Sequence, residues 1–257
     1  MRLLRLRHLV ATSSLGAPVD AIRQRLRLLG TLRHPELGPL LAENLMMDRA
    51  LDRLVTPGTR CVDVGAHLGS MTMAFRRRAA GLRHIAVEAS PTKAAWLAER
   101  LSDVDVRPVA VSDTTGHVSF YENLAQPGFS SLADRSGRGA TAEITVEAVR
   151  LDDLLDGIEI GFMKIDVEGF ELQAIRGAEA TIRRCRPTLL FEAGAATDGD
   201  VDQSAYDALF DLLTGPLGYE VRAVVDFVHD RPAIDAALFR RYRTYPFTAF
   251  NFVATPV

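Results

Sequence analysis

Cys61-Val-Asp-Val-Gly-Ala-His-Leu-Gly69 decides how the rest of the chain reads. The run 60–64 is apolar apart from Arg60 and Asp63, too short for a helix, and stopped by Gly65. That is the pattern of a strand covered on both faces. After Gly69, Ser70 opens an amphipathic stretch with Met71, Ala74 and Phe75 on one side. Strand, glycine turn and helix in this order let a ligand approach the backbone closely and meet the free N–H groups of a helix start.

Working outward, further short β-rich runs at 84–88, 104–111, 161–166 and 187–192 alternate with helical segments. Ser90-Pro91 supplies an N-cap and a first-turn proline for a helix carrying Trp96, Leu97 and Leu101. Leu172, Ile175 and Ala178 line another helical face. Such alternation predicts βαβ units around a parallel sheet, an α/β fold. Pro108 fits a third strand at the sheet edge, where a missing N–H donor is tolerated. Residues 117–149 break the alternation with two β-rich runs around GFSSLADRSGRG; the loop 128–139, with Ser130 and Ser131, reads as a lid. A helix near 204–213 and two β-rich runs, 220–228 and 248–254, end the chain.

Nineteen residues beyond Gly69 stands Glu88, at the end of the second strand, where an acid accepts both ribose hydroxyls of a nucleoside. Both NAD and S-adenosylmethionine (SAM) use that geometry. Two details tilt it toward SAM. No tight G-x-G is present for a pyrophosphate, and Asp63 would repel phosphate but can receive an ammonium. A second constellation, Met163-Lys-Ile-Asp-Val-Glu-Gly-Phe-Glu171, delivers Asp166 and Glu168 to the carboxyl end of a buried strand, the ligand-binding rim of open α/β sheets. These carboxylates can bind the cofactor's amino group, act as a base or hold a divalent cation; alternatively, Glu168 caps the following helix. Glu192 ends the fifth strand on the same rim, as a further base or as a structural acid.

The stretches VDVGAHLGSMT, AVEASP, AVSD, GFSSL, VRLDDLL, MKIDVEGFELQAIRGA, RPTLLFE and NFVATP follow one another in an order that resembles the FkbM family of SAM-dependent methyltransferases, over roughly residues 55–255. The resemblance implies a Rossmann-like class I methyltransferase fold: a seven-stranded, mostly parallel sheet in the order 3-2-1-4-5-7-6 with its last strand antiparallel. An N-terminal helical extension (1–54) would precede the SAM-binding domain (55–257), with 117–149 as an insertion. It places the cofactor at Asp63, Gly65, Ala66, His67, Gly69, Glu88 and Ala89, with Ser112 or Asp113 beside the adenine. Asp166 and Glu168 would face methyl transfer, with Asp166 also touching the cofactor. Asp166, Glu168 and Glu192 are the candidate catalytic groups. Such families usually carry Asn where this chain has His67, which can reach the ligand or be a packed loop residue. The implied chemistry is O-methylation of a hydroxylated small molecule, a natural product or sugar, yielding S-adenosylhomocysteine. Mg²⁺ is a conceivable but disfavoured helper, and no metal site is assigned.

Composition is ordinary for a globular chain: 47% hydrophobic and 25% charged, with net charge −3 giving no pull toward nucleic acid or anionic membrane. Residues 1–33 hold seven arginines against Asp20. They read as a basic arm that docks on a partner or, preferably, as a solvated helix whose Ile22, Leu26 and Leu29 face packs on the domain or a twin chain in a homodimer. Arg5, Arg7 and His8 interrupt the apolar start, against a secretory signal. Two unpaired-looking cysteines and no apolar span fit a cytoplasmic protein with no membrane partner. Two rivals stand beside the methyltransferase: an NAD(P)-dependent oxidoreductase, which lacks its glycine motif and catalytic Lys pair here, and a SAM-binding scaffold without turnover.

Overall fold

The computed structural model describes residues 38–123, 141–196 and 203–257. The basic segment 1–37 and the expected lid 128–139 lie outside them. Seven strands form the main sheet: β1 (Cys61–Val64), β2 (Ile85–Val87), β3 (Asp105–Arg107), β7 (Phe162–Ile165), β8 (Thr188–Glu192), β9 (Tyr219–Ala223) and β10 (Asn251–Pro256). A second sheet holds the other three, β4 (Ala110–Val111), β5 (Gly116–Asn123) and β6 (Thr141–Val149).

The main sheet runs β3-β2-β1-β7-β8-β10-β9. Counting its own strands alone, this is the order 3-2-1-4-5-7-6 of a class I methyltransferase; the labels jump because the second sheet is inserted after the third strand. All neighbours are parallel except β10, which is antiparallel to both β8 and β9.

Side chains alternate along each strand, so each face of the sheet collects every second residue. On one face Cys61, Phe162, Leu190 and Val253 pack against Ala50 and Leu51 of α1 (Gly38–Leu54), Ala74 and Phe75 of α2 (Ser70–Arg78) and Val224 of α8 (Val224–Val228). Ala86 of β2 and Leu97 of α3 (Pro91–Arg100) extend that layer. The opposite face carries Val62, Val64, Met163, Ile165, Leu189 and Phe191. It is covered by α4 (Leu151–Leu154), α5 (Glu171–Arg176), α6 (Glu179–Cys185), α7 (Gln203–Thr214) and α9 (Ala236–Tyr242). Both faces are covered, which is why the central strands read as mostly apolar runs, interrupted by Asp63 in β1 and Lys164 in β7.

Two sequence expectations change. The run 104–111 divides around Pro108: β3 ends at Arg107 as the sheet edge, and β4 starts in the second sheet. The run 220–228 is strand only to Ala223, because α8 coils back onto α1, where Arg53 donates to the carbonyls of Phe227 and Val228. Tertiary packing overrides the β-branched residues there. The extension expected over 1–54 is described from residue 38 onward as α1, which packs on the main sheet. The apolar face of α1 packs on that sheet, and the buried carboxylate of Glu43 accepts from the backbone N–H groups of Phe250 and Asn251. No helix among the described residues is long and apolar enough to cross a membrane.

Candidate active site

The packing face bearing Cys61, Phe162, Leu190 and Val253 changes character toward the carboxyl ends of the strands. One step further along each strand, the same face carries Asp63, Lys164, Glu192 and Asn251, with Asp166 beyond Lys164. A row of polar groups therefore crosses β1, β7, β8 and β10 on the side of the sheet that α1 covers. Above it lies a cavity of about 400 Å³, within the range of small-molecule sites. Its walls include Gly65, Ala66 and His67 of the turn, Ser70 and Met71 of α2, and Glu88 and Ala89 after β2. Lys164, Asp166, Glu168 and Glu192 line the rim, and Asn44 and Met47 of α1 close it from above.

Local backbone explains the turn. Gly65 (φ 78°), His67 (φ 52°) and Gly69 (φ 82°) are all left-handed. A Cβ on Gly65 would sit 1.8 Å from the Asp166 carbonyl oxygen, so this glycine serves the crossing with β7. A Cβ on Gly69 would meet Leu97 at 2.7 Å; Gly69 is required by packing on α3 and does not line the cavity. At position 67 the left-handed backbone favours Asn, Asp or His over other side chains, which accounts for His where Asn is usual. The His67 N–H donates to Glu88 Oε2 at 2.7 Å, and the Ser90 N–H to Glu88 Oε1 at 2.9 Å. Burial raises the Glu88 carboxyl above its ordinary value, with Lys93 and these amides pulling it back.

Asp63 lies beneath the cavity floor, fully buried, with Thr72 Oγ1 donating to it at 2.5 Å. From sequence its expected partner is a ligand ammonium, met directly or through water. What it meets is the ammonium of Lys164, 3.7 Å away, while the same Nζ lies 3.0 Å from Asp166 Oδ2 and 3.3 Å from the Gly65 carbonyl. Burial pushes the Asp63 carboxyl up, and Lys164 opposes that. For Lys164, burial works against the charge, but Asp166 and Asp63 outweigh it and the ammonium is held above its usual value. Glu192 is raised well above the carboxylate range by burial and by Asp166 and Glu168, against the pull of Lys164.

Glu168 adopts φ 55° and lines the cavity; it caps no helix. The loop amides of Val167 and Gly169 are instead accepted by buried Glu171, which also takes the Tyr206 hydroxyl at 3.2 Å. Ser112 and Asp113 do not line the cavity. The Ser112 carbonyl packs on Gly177, and the Asp113 carbonyl accepts from Arg150 at 2.8 Å. Val109, Ala110, Val111 and Phe120 line it instead. The sequence reading missed Lys93, Lys164, Asn44, Met47 and Asn251. A usable signal was present for the first two, as they are the chain's only lysines. Among the described residues no three His, Cys, Asp or Glu side chains converge to hold a metal ion.

Against known proteins, the family description "Methyltransferase FkbM domain" matches residues 63–224, more than half of the chain. Among solved structures the chain is similar to methyltransferase FkbM from Methylobacillus flagellatus KT. Identity is 17% over 85% of this chain and 53% of that one, with a TM-score of 0.49. The chain thus spans about half the length of that relative (53%). It is also similar to a SAM-dependent O-methyltransferase from Thermotoga maritima (13% identity, 83% and 65% coverage, TM-score 0.43). A third is a SAM-dependent methyltransferase from Aquifex aeolicus (11%, 82% and 89%, TM-score 0.42). None of the curated proteins matches.

Proposed function

Because the chain belongs to the FkbM family of methyltransferases, we propose that it moves the methyl group of SAM to a hydroxyl oxygen of a small molecule, a natural product or sugar, and releases S-adenosylhomocysteine. The observation that carries this is one cavity joining the glycine turn, buried Glu88 and the acidic end of β7. Backbone amides fix the Glu88 carboxylate, and each oxygen keeps a second acceptor position for a ribose hydroxyl. Val109, Ala110, Val111 and Phe120 offer an apolar slot for adenine. The turn at 65–67 and the first residues of α2 would take the methionine portion.

When bound, the sulfonium supplies a methyl carbon already activated toward displacement. The chain's task is to hold the acceptor oxygen in line with it and to take the hydroxyl proton. Asp166 and Glu168 are placed for that proton. Glu192, whose carboxyl is raised by burial and by Asp166 and Glu168, is suited to hold that proton next. The free thiols Cys61 and Cys185 support a cytoplasmic location. Pairing through the N-terminal helices rests on residues 1–37, outside the described ones; sedimentation showing a monomer would remove it.

Calorimetric titration with S-adenosylhomocysteine, with NAD and NADP in parallel, tests the cofactor. The expected result is binding that weakens at least tenfold in Glu88→Ala. Binding of NAD in its place would sink the reading. Binding without turnover of any hydroxylated acceptor would leave a SAM-binding scaffold.

A further inference from the structure

The oxygens that converge in this site converge on a lysine. Asp166 Oδ2, the Gly65 carbonyl and Asp63 Oδ1 surround Lys164 Nζ at 3.0, 3.3 and 3.7 Å. Two carboxylates and a backbone carbonyl are the hard donors that Mg²⁺ or Mn²⁺ takes. Lys164 is 8% exposed, within β7, and hydrogen-bonded to the carbonyl of Gly65 in the turn after β1. Its compact ammonium directs three donors from one point, whereas a planar guanidinium needs a flat partner. Elsewhere the chain carries its positive charge almost entirely on arginine: of 30 basic residues, only Lys93 and Lys164 are lysines.

We propose that Lys164 is a positioning residue acting as the built-in cation of the site, standing where a divalent metal would otherwise neutralise Asp63 and Asp166 and holding the Asp166 carboxylate toward the cavity. A metal approaching the same oxygens meets a fixed positive charge. The site is thereby metal-independent. Glu192 faces the same charges: burial, Asp166 and Glu168 raise its carboxyl and Lys164 pulls it back. The inference does not depend on which cofactor the cavity accepts.

Its test needs no methyl acceptor. Mn²⁺ is titrated by calorimetry and electron paramagnetic resonance into the full chain, as wild type, Lys164→Ala, Asp166→Asn, and Lys164→Ala with Asp166→Asn. Removing the ammonium should create one Mn²⁺ site at least tenfold tighter than any in wild type, and the added Asp166→Asn should abolish it. Wild-type binding as tight as the variant's, and lost in Asp166→Asn alone, would overturn the proposal. So would a folded Lys164→Ala that gains no Mn²⁺. If Lys164→Ala does not fold, Lys164→Met keeps the stem and removes the charge. Uncompensated carboxyls then have raised folded-state values, so their stabilising effect is present at low pH and lost as pH rises. The drop in melting temperature relative to wild type should be larger at pH 8 than at pH 5.5. An equal drop at both would mean Lys164 contributes packing alone and would overturn the proposal.

Discussion

Glu168 (φ 55°) and His67 (φ 52°) both hold left-handed backbone at the cavity wall. That conformation costs a residue with a Cβ on the order of 1–3 kcal/mol. At position 168 the cost is borne by an acid pointed at the proposed chemistry. Glu168→Gly should therefore raise the unfolding midpoint, by up to about 1 kcal/mol in stability, while lowering methyl transfer; thermal melts and turnover measured together decide it. At position 67 the requirement is mainly conformational. His67→Asn should leave stability and S-adenosylhomocysteine affinity nearly unchanged, and His67→Val should destabilise by roughly 1–2 kcal/mol in urea titrations. Gly65 admits no such exchange. Gly65→Ala puts a methyl 1.8 Å from the Asp166 carbonyl oxygen, and β1 and β7 must part to admit it. The expected result is insoluble or unfolded protein, read by circular dichroism.

Elements differ in how much of themselves they show in sequence. β1, β2, β7 and β8 were legible because double burial leaves an apolar run bounded by glycine and acid. Ser90 was legible as a cap because capping is local: its hydroxyl accepts from the Lys93 N–H. α1 was not. Its partner Asn251 lies 208 positions away, and nothing near Glu43 announces that pairing. For the same reason Lys164 and Glu171 went unread, since their roles come from neighbours across the sheet or in α7. Asp63, by contrast, is legible by its position, whereas its buried neighbours Thr72 and Lys164 are not, because burial cannot be read from one strand alone. The α1–β10 junction can be tested directly. Glu43→Ala leaves the N–H groups of Phe250 and Asn251 without their acceptor, a loss of about 1–3 kcal/mol measurable by urea unfolding. Asn44, Met47 and Asn251 all line the cavity, so ligand affinity should fall in the same variant.

For the molecule as a whole, burial raises the carboxyls of Glu43, Asp63, Glu88, Glu171 and Glu192 together. Each holds its proton to higher pH in the folded chain than in the unfolded one. Their contribution is full below the ordinary carboxylate values of 3.8 to 4.5 and is lost as pH climbs through the raised ones. His84, lowered by burial, works the other way toward pH 6.5. The carboxyls outnumber it, so the melting temperature should be higher near pH 5.5 than at pH 8; a flat or opposite profile would contradict the burial of these groups.

The concentration of both lysines in one cavity gives the surface an unusual chemical blankness. Apart from the chain's α-amino group, an acylating reagent finds primary amines only at Lys93 and Lys164. Burial lowers Lys93 despite Glu88 and Glu122, whereas Lys164 is kept charged. Acetylation should therefore mark Lys93 first, and mass spectrometry of the peptide carrying it becomes a footprint. Any molecule that shields that one amine from acetic anhydride is a candidate occupant of the cavity, found by screening without knowing the reaction in advance.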